Sequence, residues 1–461
     1  MPERLRFVFR PLETLLLVIV MLLGGLGFAL VTAAIQLRQE TNPIPALSGA
    51  LLPPAVLALA LLFLHLLLQW RGVEVEQVIL PIVGLLLAVG LTMIWRLRPP
   101  EAVWQQLWRG FIPGVSLMAV LMIYPRLVER IRRDWVIGIS LAGLGLLIAT
   151  AFFGVVDESG ARLALKLGPL PAVQTSELIK LALIIFLAWY IEKEGEAVEG
   201  RARSLRWLRI PAVRYFIPGL LYVSLATLAL VMMSDFGAVL ILGALFVAML
   251  YAGFETRIFL TVAAVGLGLS LLVGLVLAFT WEIPAVIQQR LAAFINPWSN
   301  APLLIDGQPA GVTIAEGPGY QIQQAIYALI AGGLTGTGLG FGLPNNIPLA
   351  HSDFIFAAIL EELGAVVGLA LLAFYLILLL RILRVAVLLP PGQQFERLLL
   401  VGISIHFFIQ VLVMVGGTIN LLPLTGVTLP FLSQGGMALL VNLTEVGLVL
   451  AIVQRLEAPS P

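Results

Sequence analysis

Along most of this chain apolar residues follow one another without the polar alternation of an element lying between a core and water. The runs are bounded by charge, proline or glycine. They fall at Leu15 to Ile35, Ala46 to Leu68, Val78 to Trp95, Leu107 to Tyr124, Trp135 to Val155 and Leu178 to Ile191. Six more follow at Tyr215 to Met233, Ala238 to Ala252, Ile258 to Phe279, Phe354 to Leu380, Leu398 to Gly416 and Met437 to Val453. Hydrocarbon offers no partner to a backbone amide or carbonyl, so each run reads as a membrane-crossing helix. The expectation is an all-α polytopic membrane protein of about twelve transmembrane helices.

Composition agrees. Of 461 residues 60% are hydrophobic and 11% charged, and the mean hydropathy is +1.04, which a water-soluble domain could carry only by exposing large apolar patches. Cysteine is absent, which excludes disulfides, thiolate metal sites and cysteine nucleophiles. The first run is long enough to span and lacks a small-residue cleavage site after a short core, so it reads as a true span rather than a cleaved signal.

A net charge of +1 conceals an asymmetry. Basic residues gather in alternate short loops: Arg4, Arg6 and Arg10; Arg126, Arg130, Arg132 and Arg133; Arg201, Arg203, Arg206 and Arg209; Arg381 and Arg384. The rule that such loops stay inside predicts that both termini are cytoplasmic. The connection from Trp281 to Asp353, the longest in the chain, then lies outside with one arginine, Arg290. Long connections usually carry function. The charged stretch from Glu192 to Arg214 reads as a solvated cytoplasmic loop.

Ionisable groups inside apolar helices are costly, which singles out Glu177, Lys180, Asp235, Glu361, Glu362 and Glu445. Glu177 and Lys180 are three apart, on one helix face, where they can pair; a structural clamp and a substrate-facing role stand level. Asp235 precedes an apolar run and reads as a helix cap. Asp353 stands where the outer loop enters a membrane helix, with His351 and Ser352 beside it; capping the helix and serving as a base are both open. The glycines at 332, 333, 336, 338, 340 and 342 follow no strand and precede no Lys-Ser/Thr pair, so a nucleotide loop is rejected in favour of an irregular, partly re-entrant segment.

The run Pro348-Leu349-Ala350-His351-Ser352-Asp353-Phe354-Ile355-Phe356, with Glu361-Glu362-Leu363-Gly364 after it, resembles the signature of the SEDS family, the shape, elongation, division and sporulation proteins that include RodA and FtsW. Other matches fall in family order: Gly160-Ala161-Arg162, Gln174-Thr175-Ser176-Glu177 with Lys180, Asp235 with Gly237, Asn296-Pro297-Trp298, Gly319-Tyr320-Gln321, and Leu422 to Phe431 followed by Ser433-Gln434-Gly435-Gly436. The resemblance covers Val78 onward. It implies a ten-helix core, residues 76–461, preceded by an N-terminal extension, residues 1–75, with two further helices. Departures are Leu349 where the family often has Glu, Thr175 where it has Pro, and Ser234 and Phe236 around Asp235 where Pro and Leu are usual.

What the resemblance implies is a peptidoglycan glycosyltransferase of the bacterial cytoplasmic membrane. Such an enzyme polymerises lipid II outside that membrane, for elongation or division, beside a class B penicillin-binding protein. A divalent cation, Mg or Mn, belongs to the same expectation; a nucleic-acid partner does not. Asp353 takes the place of the catalytic base, with Arg162, Glu177, Lys180, Asp235, His351 and Ser352 as substrate-binding positions. The chemistry needs a base for a sugar hydroxyl and positive charge for a departing diphosphate, for which Arg162 leads and Lys166, Arg290 and Arg109 follow. A lipid-linked precursor flippase, with Glu177 and Lys180 as its centre, also accounts for intramembrane charge and an amphiphilic substrate. A catalytically idle scaffold ranks behind both.

Overall fold

The computed structural model describes residues 7–42, 44–156, 162–166, 168, 172–201, 203–205, 208–210, 213–256, 258–260, 285–305 and 308–457. Among the described residues nine helices are long and apolar enough to cross a membrane: Pro11–Arg38, Ala46–Trp70, Ile79–Leu97, Pro100–Ile123, Leu127–Phe153, Phe236–Gly253, Ile355–Leu388, Gln394–Thr418 and Gly436–Leu456. Thr175–Gly200 and the shorter apolar stretch Ile217–Met232 stand at the sixth and seventh expected positions. Most of the expected span Ile258 to Phe279 lies outside the described residues.

Two connections differ from expectation. The charged stretch after Glu192 continues the Thr175–Gly200 helix and then turns through a hairpin, with Arg203–Leu205 antiparallel to Leu208–Ile210. Glu192, Lys193, Glu194 and Glu196 ride on an extended helix end. The long connection that ends at Asp353 holds a helix, Ala285–Ile295, a hairpin of Pro302–Ile305 with Gln308–Thr313, and a second helix, Pro318–Gly332.

The loops that the charge pattern puts on one face meet one another. Arg162 N donates to Met233 O at 3.2 Å, Gln434 N to His351 O at 2.9 Å, and Asn420 Nδ2 to Phe294 O at 3.2 Å. On the other face Arg455 pairs with Glu129 at 2.6 Å and Glu396 at 3.1 Å, and Arg132 with Glu192 at 3.2 Å.

Apolar side chains face outward where lipid would lie: Leu15, Leu22, Leu26 and Leu30 are exposed on the first helix. Ile79–Leu97 and Gly436–Leu456 are buried along most of their length and form the centre. In lipid, helices associate through close backbone approach at small residues. A Cβ built on Gly447 would stand 2.8 Å from Met118 Cα, and one on Gly114 2.7 Å from Leu443 Cδ1, so Gly436–Leu456 and Pro100–Ile123 touch at their glycines. The first helix packs along Ile79–Leu97 through the Phe28–Trp95 ring pair and a hydrogen bond from Trp95 Nε1 to Thr32 Oγ1 at 3.1 Å. Its N-terminal end is tied by a buried network in which Arg10 bonds Glu13, Val73 O and Glu76 O, and His65 Nδ1 meets Glu13 Oε1 at 2.5 Å.

Candidate active site

Asp353 sits in a turn, His351 to Phe354, two residues before the first residue of the Ile355–Leu388 helix. Capping is not its work: Phe354 is the N-cap and no side chain bonds the first helical amides. The carboxylate is therefore available for another purpose. It is partly buried and receives a hydrogen bond from the Ser352 hydroxyl. Burial raises its pKa to about 6, against the opposing effects of that hydrogen bond and of Arg290 nearby.

The turn is held by the loop between the last two membrane helices. Ser433 Oγ donates to Ser352 O at 2.7 Å and accepts from Leu429 N at 2.8 Å, and Gln434 N binds His351 O. Gln106, in the first two turns of Pro100–Ile123, binds the same segment, with Gly435 N donating to its Oε1 at 3.0 Å. Gln410, Tyr375 and Gly90 fix the other side. Gln410 Nε2 donates to Thr428 O at 2.9 Å, Tyr375 donates to Pro430 O, and Gly90 lies against the Phe431 and Leu432 backbone. Gly426 comes nearest the carboxylate, where a Cβ would lie 3.5 Å from Asp353 Oδ2.

That same loop joins Asp353 to the other predicted positions. Gly237 is pressed on Thr425 and Val427, a Cβ there being 2.7 Å from Thr425 O. Asp235 caps the Phe236–Gly253 helix by accepting from Ala238 N at 3.0 Å, and takes a second bond from Ser176. Glu177 and Lys180 are buried and paired at 2.7 Å within electrostatic reach of Asp235. Arg162 reaches the same corner through its backbone bond to Met233, but its Nη1 donates to Ala151 O and Phe152 O, both at 3.0 Å. It closes the C-terminal end of the Leu127–Phe153 helix, which leaves less of its guanidinium for a phosphate. Gly160 and Ala161, its motif neighbours, lie outside the described residues.

Nine residues past Ile355, about 14 Å along the helix at 1.5 Å per residue, the chain breaks at Gly364, whose φ is 83°. The glycine-rich segment enters that break. Thr337 N and Gly338 N donate to Glu361 O and Glu362 O at 2.9 and 3.0 Å, while Ala365 N and Val366 N donate to Gly333 O and Leu334 O. Non-helical backbone at membrane depth is tolerated only where protein satisfies it, and here protein does. Glu362 accepts from Gly340 N at 2.9 Å and pairs with Arg96 at 2.9 Å; Glu361 accepts from Leu343 N at 2.7 Å. Both acids thus hold the re-entrant loop that leads into the Asp353 turn.

Sequence reasoning passed over Arg96, Arg98 and Gln410, and named Ser433 only within a family signature. Arg96 ends an apolar run, and its partner is 266 positions away. Arg98 lies near His351, whose pKa falls through burial first and that positive charge second. Among the described residues no three His, Cys, Asp or Glu side chains converge as a metal site. Asp353 is a lone carboxylate, which fits a cation that arrives with a diphosphate and not an all-protein cage.

A family model described as a cell cycle protein, covering FtsW, RodA and SpoVE, matches residues 71–458. The chain belongs to this family. The peptidoglycan glycosyltransferase RodA of Mycobacterium tuberculosis (strain H37Rv) is 32% identical over 404 residues, 85% of this chain and 80% of the relative. RodA of Mycobacterium leprae is 30% identical over 449 residues, covering 94% of this chain and 88% of the relative. So wide a match reaches into the two N-terminal helices. The probable peptidoglycan glycosyltransferase FtsW of Nitrosococcus halophilus is 34% identical over 318 residues, 68% of this chain and 73% of the relative. Among solved structures, the chain is similar to one from a peptidoglycan synthase complex that coordinates polymerisation and crosslinking, with a TM-score of 0.63 and 24% identity over 82% of this chain and 96% of that one. The Thermus thermophilus rod shape determining protein RodA gives 0.53 and 25% identity, over 82% and 96%. Family membership and the apolar helices make this a multi-pass membrane protein.

Proposed function

We propose that this FtsW/RodA-type protein is a peptidoglycan glycosyltransferase, polymerising glycan strands from lipid II at the outer face of the bacterial cytoplasmic membrane, with both termini inside. One observation carries the reading: an uncapped, partly buried carboxylate, Asp353, stands at the helix mouth with its pKa lifted to about 6. A general base works best when its pKa lies near the working pH and its position is fixed.

In the proposed reaction a sugar hydroxyl of one lipid-linked molecule attacks the anomeric carbon of another. Asp353 takes the hydroxyl proton as the new glycosidic C–O bond forms. The anomeric C–O bond to the diphosphate breaks, and its electron pair leaves on the lipid diphosphate. Ser352, Ser433 and Gly426 keep the carboxylate oriented, while Arg290 and Arg98 supply positive charge on this face. His351 contributes its backbone carbonyl to the docked loop. A divalent cation, carried in with the diphosphate, would neutralise the leaving group.

Glu177, Lys180 and Asp235 brace the corner that carries the Thr425 loop, and the mutual neutralisation of the first two disfavours the flippase reading. The partner fits as a class B penicillin-binding protein, since a similar solved chain belongs to a synthase complex that both polymerises and crosslinks. The test is direct: the purified full-length protein, alone and with its crosslinking partner, is given fluorescent lipid II and the products are run on a gel. A ladder of glycan chains supports the assignment, and its absence under both conditions contradicts it.

A further inference from the structure

On the arginine-bearing face, opposite Asp353, the ends of several helices leave a groove of about 1290 Å³. It lies where Ala46–Trp70 ends, where Pro100–Ile123 turns into Leu127–Phe153, and beside Trp189 on Thr175–Gly200. Six cations line it: Arg71, Arg126, Arg130, Arg132, Arg133 and Lys193. Its two acids are engaged, Glu192 with Arg132 at 3.2 Å and Glu129 with Arg455 at 2.6 Å, and Arg133 pairs with Asp134 at 3.0 Å, so the net charge rests on six lining cations against two lining acids. The groove therefore presents net positive charge to whatever enters it.

The remaining wall is apolar or aromatic. Tyr124 is exposed, Leu127 and Ile123 lie beside it, and Lys193 rests over the Trp189 ring at 4.8 Å. Tyrosine and tryptophan with apolar bodies and polar tips are characteristic of the headgroup level of a bilayer. A loop whose arginines served only to set topology would need no concavity and no aromatic wall. The combination suits an amphiphile that offers negative charge to the arginines and hydrocarbon to Ile123 and Leu127.

We propose that this groove binds the phosphodiester headgroup of an anionic membrane lipid, with its acyl chains along the Tyr124 side. The site is separate from the Asp353 turn and does not depend on the polymerase assignment. It would make the protein sensitive to the anionic lipid content of the membrane that holds it. Ionic strength would weaken the headgroup contact, because the cations stand at the aqueous boundary.

The experiment uses the full-length protein in a neutral detergent. Phosphatidylglycerol, phosphatidylcholine and inorganic phosphate are added separately, with thermal unfolding and native mass spectrometry as readouts. Phosphatidylglycerol is expected to raise the unfolding temperature and to remain bound, while phosphatidylcholine and phosphate do neither. Arg130→Gln should weaken the apparent phosphatidylglycerol affinity about fivefold, the share of one interfacial cation; Arg130→Lys should restore it. Arg384→Gln removes the same charge from the same face outside the groove and should change nothing. Equal stabilisation by phosphatidylcholine, a full effect from phosphate alone, or an Arg384→Gln loss as large as that of Arg130→Gln would each overturn the proposal.

Discussion

Arg96 and Glu362 meet inside the bundle, guanidinium Nε to carboxylate Oε1 at 2.9 Å, and the same guanidinium donates to Gly342 O at 3.1 Å. One side chain thereby joins a central helix, the helix that follows Asp353 and the re-entrant loop. Removing one partner strands the other charge where little water reaches it. Arg96→Ala is expected to destabilise the protein by about 3–5 kcal/mol, whereas replacing both partners with apolar residues of similar volume should recover much of that loss. Thermal unfolding of the two variants in detergent checks it.

The loop that holds Asp353 makes a second prediction. Gly426 has φ +74°, a left-handed conformation that costs an alanine about 1–2 kcal/mol. Its new methyl group would also face Asp353 Oδ2. Ser433→Ala removes two bonds, to Ser352 O and from Leu429 N, worth about 1 kcal/mol each. Each variant should still insert and fold, and glycan polymerisation should drop about tenfold through a fall in kcat more than a rise in KM. An unchanged kcat in both would show that the loop does not position the base.

Acid should switch the reaction off earlier than for an ordinary aspartate. Asp353 must be ionised to take a proton, and its pKa stands at about 6 against a usual 3.8. The rate is therefore expected to fall as pH drops through about 6 and to be flat above it. The linkage to stability has the opposite sense: the folded carboxyl holds its proton more tightly than the unfolded one. Its contribution is fully present below pH 3.8 and is lost as pH rises through about 6. A pH profile of kcat/KM that stays flat down to pH 5 contradicts the burial argument.

Much of this was legible in the chain. Apolar runs mark their own spans because the bilayer core leaves backbone no alternative, and basic loops mark their own face. Asp353 was legible by its place at the helix mouth, yet its freedom from capping was not, since both roles ask for the same residue at the same spot. The break at Gly364 hides inside a continuous apolar run. Its pairing with the glycine-rich segment depends on contacts between residues about thirty positions apart, such as Val366 with Leu334. Glu445 stood out alone as a buried acid; its partner His406, at 2.9 Å, lies on the neighbouring helix where no local pattern announces it.

The N-terminal helix bears on the same loop. Arg38 donates to Phe341 O at 2.5 Å and to Gly342 O at 3.4 Å, and a Cβ on Gly340 would fall 2.4 Å from Ala34 Cβ. Arg38→Ala should raise amide exchange at residues 337–343 about tenfold by easing local opening, with a few-fold loss of polymerisation. Unaltered exchange would mean that the first helix packs on the loop without restraining it.

Asp353→Asn keeps the shape of the side chain, needs no change at the Phe354 cap and removes the proton acceptor. The purified variant and the parent protein, matched for unfolding temperature, are each given lipid II, and chain growth is followed by gel. No detectable glycan from the variant beside robust synthesis by the parent is the predicted result; polymer formed by the variant at a rate near the parental one would contradict the account.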